Sequence, residues 1–119
     1  MANNLVLDDV LEAAILIKRM LQKKGHHVFT FTEEEKALEY LRSETIDLAI
    51  LDIKLKKMSG VEVLEEMKKI APTLKAIMLT GYPTLETARE SLDLGAGEYC
   101  VKPIDKEELE EKVASVLNA

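Results

Sequence analysis

Two hydrophobic periods alternate along the chain. Short, mostly apolar runs lie at residues 5–7, 28–31, 47–51, 76–79 and 98–101. Leu48, Ala49, Ile50 and Leu51 do not alternate with polar residues, which fits a central strand buried on both faces. Between these runs the apolar residues recur every three or four positions, the period of a helix with one buried face. The spacing predicts a helix over 10–24, with Leu11, Ala14, Ile15 and Leu21 inward, Lys18, Lys23 and Lys24 toward its end, and Gly25 just beyond it. Thr32 is placed to cap the second helix. Glu33, Glu34 and Glu35 fall in its first turn, where the dipole favours anions, and Ala37, Leu38 and Leu41 point inward. A third helix follows Gly60, turns Val61, Leu64 and Met67 to one side, and stops at Pro72. A fourth covers 84–94 and ends at Gly95. The last starts at Asp105 and aligns Leu109, Val113, Val116 and Leu117. The order is strand then helix, five times over. That is the pattern of an α/β chain: a doubly wound parallel sheet with helices on both faces.

Composition narrows the class. A length of 119 residues fits one domain over 1–119, with no output domain expected in this chain. At 47% hydrophobic and 32% charged, the chain can bury a core of its own. Trp is absent and aromatics are few, so that core is built from Leu, Ile, Val, Ala and Met. A net charge of −6, with Lys54, Lys56 and Lys57 as the one dense basic stretch, argues against direct nucleic-acid binding. Cys100 is the sole cysteine, which excludes an intrachain disulfide and fits a reducing cytoplasm. No leader is expected at the polar N-terminus. No apolar run approaches the ~18 residues that would suggest a membrane span.

Chemistry-bearing residues stand at the strand ends. Asp8 and Asp9 end the first strand, Asp52 the third, Thr80 the fourth and Lys102 the fifth. In a doubly wound sheet the carboxyl ends of the strands form the ligand crevice, so residues far apart in sequence meet there. Each of them alone is an ordinary turn, cap or solvated loop residue. As a set they are complementary. Three close carboxylates repel one another and raise one or more pKa values. A hard divalent cation relieves that repulsion, and Mg²⁺ suits few carboxylates plus waters and a phosphoryl group. One carboxylate can act as a nucleophile toward phosphorus. Lys102 can neutralise phosphoryl oxygens, and the Thr80 hydroxyl can hydrogen-bond to another.

Over almost its whole length the chain then resembles the receiver domain of two-component response regulators. The matching stretches are Leu-Val-Leu-Asp8-Asp9, Leu-Ala-Ile-Leu-Asp52, Met-Leu-Thr80-Gly and Tyr99-Cys-Val-Lys102-Pro103. The resemblance implies a flavodoxin-like strand order of 2-1-3-4-5. It implies that Asp52 is the phosphoacceptor and that Asp8, Asp9 and Asp52 hold Mg²⁺ (or Mn²⁺), with Asp9 the likelier direct ligand of the acidic pair and the Lys54 backbone carbonyl as a further ligand. Thr80 matches the switch hydroxyl, Tyr99 the switch aromatic and Lys102 the phosphate-binding lysine. The Lys102–Pro103 peptide matches a cis bond, which only X-Pro peptides adopt cheaply. The implied partners are a histidine kinase or phosphotransfer protein and a downstream output domain or target protein, with a homodimer on activation left open. The implied event is phosphorylation of Asp52, inward movement of Thr80 and Tyr99, and a reshaped face of the fourth helix, fifth strand and last helix. The chain is thus expected to be a switch and not an enzyme.

The chain departs from the family pattern in three places. Lys56 stands where a Pro is common, so the loop from Asp52 to Gly60 is expected to be more mobile. Val10 follows the acidic pair where a polar residue is common, which removes a contact near the metal. Lys54 stands two residues after the phosphoacceptor, where its side chain could reach the phosphoryl group or obstruct water and so tune the lifetime of the signal.

Other readings of the same residues fare worse. A phosphohydrolase of the haloacid dehalogenase kind needs a second Asp two residues after the nucleophile, and Lys54 occupies that position. A flavin or dinucleotide binder needs a Gly- or Ser/Thr-rich first turn, where this chain has Asp8-Asp9-Val10. Against an interaction module that had lost phosphorylation stands the retention of the whole constellation. Cys100 and Met20, Met67 and Met78 are expected in the core, His26 and His27 in a surface loop before the second strand. Glu107, Glu108, Glu110 and Glu111 are expected on the exposed face of the last helix.

Overall fold

A computed structural model describes residues 2–119; Met1, where the expected domain begins, lies outside them. The strands are β1 (Asn3–Leu7), β2 (His27–Phe31), β3 (Leu48–Leu51), β4 (Lys75–Thr80) and β5 (Glu98–Val101). The helices are α1 (Leu11–Gln22), α2 (Glu34–Ser43), α3 (Gly60–Ile70), α4 (Leu85–Asp93) and α5 (Lys106–Leu117). All strand pairs are parallel and the order is β2-β1-β3-β4-β5, the flavodoxin-like arrangement expected. The reversal between β1 and β3 opens the crevice beyond Leu7 and Leu51, which lie directly opposite each other.

Strand alternation sorts the core into two layers. Leu5, Leu7, Ala49, Leu51, Ala76 and Met78 meet Ala37, Leu38 and Leu41 of α2 and Val63, Leu64 and Met67 of α3. Val6, Ile50, Ile77, Leu79 and Cys100 meet Ala14, Ile17 and Leu21 of α1 and Leu109, Val113 and Val116 of α5. Each of the four residues of β3 is buried, as its unbroken apolar run predicts. Gly25 and Gly95 follow α1 and α4 with φ of 87° and 91°, a conformation that costs a glycine little.

Four expectations are corrected. Leu11 is 51% exposed and Ile17 takes its place inside, because α1 starts only at residue 11 and turns its first residue outward. Thr32 does not cap α2; Glu33 precedes the helix and its side chain makes no capping bond. His27 belongs to β2, paired with Asn3. Glu110 is half-buried between Lys24 and Lys106, each 3.9 Å away, while its acidic neighbours are exposed.

Candidate functional site

Asp8 and Asp52 emerge from adjacent strands and are buried, 2% and 8% exposed. Asp9, half-buried, completes a cluster in which one carboxylate oxygen of each residue lies within 4.8 Å of the others. Backbone bonds fix the two strand ends against their neighbours. The Asp8 amide donates to the Phe31 carbonyl at 3.1 Å, and the Asp52 amide donates to the Leu7 carbonyl at 3.0 Å. The Val10 amide donates to Asp8 Oδ1 at 2.9 Å, so Val10 serves the acidic pair through its backbone while its side chain faces solvent.

Lys102 closes the cluster from the far side. Its amide donates to the Thr80 carbonyl at 2.8 Å, and the Lys102–Pro103 peptide is cis. Its Nζ lies 2.5 Å from Asp8 Oδ2 and 3.3 Å from Asp52 Oδ2. One ammonium therefore serves two buried carboxylates. Burial is the largest influence on Asp52 and raises its pKa. The Lys102 charge opposes this, Asp8 adds to it, and the net result is a pKa above the ordinary aspartate value. Burial pulls Lys102 down, but its bonds and charges with Asp8 and Asp52 outweigh that and leave it above the usual lysine value. Three hard oxygen donors with a surplus of negative charge fit a hard divalent cation.

Two loops frame this centre. The β3–α3 loop leaves Asp52 and returns at Gly60, whose amide donates to the Ile53 carbonyl at 2.7 Å. A Cβ at Gly60 would stand 2.0 Å from the Asp52 carbonyl oxygen, so only glycine lets the loop close there. Ser59 and Glu62 then form a reciprocal capping box that starts α3. The loop expected to be mobile for want of a proline is tied down by a different device. The buried Glu34 at the start of α2 accepts hydrogen bonds at Oε2 from the Lys57 amide at 2.6 Å and the Met58 amide at 2.8 Å. Lys54 donates its amide to Asp52 Oδ1 at 3.3 Å, while its Nζ sits 4.1 Å from the centroid of the Tyr82 ring.

The remaining predicted residues, Thr80 at the end of β4 and Tyr99 in β5, both bond to the segment that leads into α4. Thr80 is fully buried and its Oγ1 accepts the Tyr82 amide at 3.0 Å. Tyr99 stands apart from the carboxylates. Its hydroxyl lies 2.7 Å from Thr87 Oγ1 and 3.3 Å from the Thr84 amide, so it touches the start of α4. Thr84 caps α4, accepting from the Thr87 amide at 3.0 Å. Cys100 is buried in the core, and burial raises its thiol pKa.

Glu34, Tyr82 and Thr87 were not singled out from the sequence. For Glu34 a signal existed. Residues 34, 37, 38 and 41 follow the helical period of the buried face, so the middle glutamate of three had to point inward.

The fold and this arrangement of carboxylates, hydroxyl and lysine define a receiver. The chain belongs to the family described as the response regulator receiver domain, whose model matches residues 5–114. It is a signalling module of two-component systems. The sporulation initiation phosphotransferase F of Bacillus subtilis (strain 168) is 34% identical over 113 residues, covering 95% of this chain and 91% of that protein. A CheY-like receiver domain protein from Methanospirillum hungatei JF-1 superposes with a TM-score of 0.95 at 35% identity, over 99% of this chain and 94% of that one. The Thermotoga maritima response regulator TrrA, solved in complex with Mg²⁺-BeF, gives a TM-score of 0.88 at 37% identity, over 98% and 99% of the two chains. This chain spans about a quarter (26%) of the length of several other curated relatives, which are transcriptional regulatory proteins. Among the described residues no helix is long and apolar enough to cross a membrane.

Proposed function

We propose that residues 1–119 act as one phosphoacceptor unit of a cytoplasmic phosphorelay, with Asp52 as the acceptor and a histidine kinase or phosphotransfer protein as the donor. The observation that carries this reading is the shared ammonium: Lys102 binds Asp8 and Asp52 together, beside a carboxylate cluster of hard oxygen donors. An Asp52 oxygen forms a new bond to phosphorus as the donor's P–N bond breaks. That electron pair returns to the donor imidazole, which takes up a proton. Lys102 then has phosphoryl oxygens to neutralise in place of the Asp52 charge. The Thr80 hydroxyl, at the end of the neighbouring strand, would bond another of those oxygens. Asp8, Asp9, Asp52 and the Lys54 backbone carbonyl would hold Mg²⁺ or Mn²⁺. When bound, such a cation supplies charge neutralisation for the transferring group.

The readout lies on the opposite side of Thr80. The Thr80 Oγ1 that accepts the Tyr82 amide is the oxygen that would turn to the phosphoryl group. Freeing that amide loosens the β4–α4 loop, to which Tyr99 is bonded through Thr84 and Thr87. The face of α4, β5 and α5 changes with it and signals to an output domain or target protein, as a shift between two populations. The TrrA complex with Mg²⁺-BeF supports the same chemistry here.

Acetyl phosphate with Mg²⁺ tests the reading by intact mass spectrometry. The wild-type chain gains one phosphoryl group only when Mg²⁺ is present, and Asp52→Asn gains none. Modification that persists in Asp52→Asn, or that ignores Mg²⁺, would overturn it.

A further inference from the structure

The acidic cluster has one wall that the strand ends do not build. The stretch from Ile53 to Ser59 carries Lys54, yet none of it belongs to a strand or helix. It is pinned at its base by the Gly60 amide on the Ile53 carbonyl. Its far side has no proline to fix the backbone. What holds that side is a carboxylate from another element. Glu34 lies at the first position of α2, beyond the edge strand β2, and is 3% exposed. Its Oε2 receives both the Lys57 and the Met58 amides, 23 and 24 residues away in sequence. Asp9 of the acidic pair lines the same surface groove as Glu34 and Lys57.

We infer that Glu34 is a positioning residue of the phosphoacceptor site: by holding the Lys57 and Met58 amides, it fixes the loop that supplies the Lys54 carbonyl to a divalent cation. The inference rests on the proposed function for its cation site, and on Glu34 geometry for the rest.

Three features support a positioning role beyond simple stability. Both bonds go to consecutive amides of one loop, so they set its orientation as well as its attachment. They are charge-assisted, which makes them short and strong. Burial by itself would raise the Glu34 pKa, but the Met58, Glu34 and Lys57 backbone amides and the Lys57 charge hold the carboxyl below its ordinary value. The anion is thus the form this site selects. Outer partners that orient metal ligands commonly change metal affinity by ten- to a hundredfold when removed, without touching the metal.

The test is a Mg²⁺ titration of the full chain followed by amide NMR shifts, with thermal melting on the same samples. Glu34→Ala is expected to bind Mg²⁺ about tenfold more weakly while still melting cooperatively. Glu34→Gln keeps an acceptor oxygen and is expected to recover most of that loss, with the Lys57 and Met58 amide protons displaced from their wild-type positions. Val113→Ala, in the opposite core layer, lowers the melting point and leaves Mg²⁺ affinity unchanged. If Glu34→Ala does not fold, Glu34→Gln decides: unchanged amide shifts and unchanged Mg²⁺ affinity overturn the inference. A folded Glu34→Ala with wild-type Mg²⁺ affinity overturns it as well. A wild-type chain that binds no Mg²⁺ sinks the proposed function itself, which is a separate and recognisable result.

Discussion

The limb formed by the β3–α3 loop with α3 and the limb formed by the β4–α4 loop with α4 flank the same carboxylate, yet they are built on different principles. Helix α3 buries Gly60, Val61, Val63, Leu64 and Met67, starts with a capping box, and its loop is bonded to Glu34. Helix α4 buries only Ser91, whose hydroxyl is turned back onto the Thr87 carbonyl of its own helix. Leu85 and Leu92 of α4 are 68% and 56% exposed. Apolar burial therefore anchors the first limb, and a few hydroxyl bonds from Thr84, Thr87 and Tyr99 hold the second. Segments with little buried apolar area open at low free-energy cost, and switching elements are drawn from them. The contrast teaches where rigidity is spent in this fold: on the limb that leaves Asp52 and not on the limb that follows Thr80.

The largest expected effect is the most direct attempt to break that contrast. Met67→Ala is expected to cost about 2–5 kcal/mol in urea unfolding, whereas Leu92→Ala stays within about 0.5 kcal/mol. Equal costs would mean that the two limbs are equally anchored.

A smaller effect comes from pH. The folded state holds the Glu34 pKa below its unfolded value, so its contribution is complete above the unfolded pKa. It is lost as pH falls through the folded one. Wild type is expected to exceed Glu34→Gln by about 1–2 kcal/mol near neutral pH, with the gap closing as the solution is acidified below the ordinary glutamate range. Asp52 has the opposite sign. Its raised pKa means that the contribution is present below the unfolded pKa and lost as pH rises through the folded one. Metal-free Asp52→Asn is therefore expected to melt a few degrees higher than wild type at neutral pH, and not in acid. A gap that ignored pH would detach Glu34 from the anchoring of the first limb.

Tyr99→Phe removes the hydroxyl shared with Thr87 and Thr84. It is expected to cost about 1 kcal/mol and to speed amide exchange in α4 while leaving α3 unchanged. Exchange that quickened in both helices would show that they move as one unit. The weakest link joins the limbs: the Lys54 ammonium over the Tyr82 ring. Lys54→Ala is expected to speed loss of the phosphoryl group by about two- to fivefold, a change on the scale of one exposed cation–π contact. Equal rates for the two proteins would dispose of a role for Lys54 in signal lifetime.

Most of the first limb was legible in the sequence. The unbroken run of β3, the period of Val61, Leu64 and Met67, and the stop at Pro72 all follow from local rules, and the structure agrees with each. The strand-end residues were legible because parallel topology converts distant positions into neighbours, as Lys102 with Asp8 demonstrates. What stayed hidden was side-chain traffic between elements. Nothing local says that Glu34 reaches amides 23 and 24 residues away, or that the ammonium of the exposed Lys54 lies over an aromatic ring. The absence of proline at position 56 is offset by bonds from another helix, which no local rule reveals. Tyr99 was legible as a residue of interest, but its bonds to Thr84 and Thr87 depend on where α4 begins relative to β5.

The shallow seating of α4 has one further consequence. Its outward residues, among them Glu86, Arg89, Glu90 and Asp93, border almost no buried surface of their own helix. Substitution there disturbs no close-packed layer, so mutation can accumulate with little penalty to folding. The surface of the second limb can thus change over generations at little cost to folding, whereas at the start of the first limb a Cβ on Gly60 would stand 2.0 Å from the Asp52 carbonyl oxygen, which confines that position to glycine.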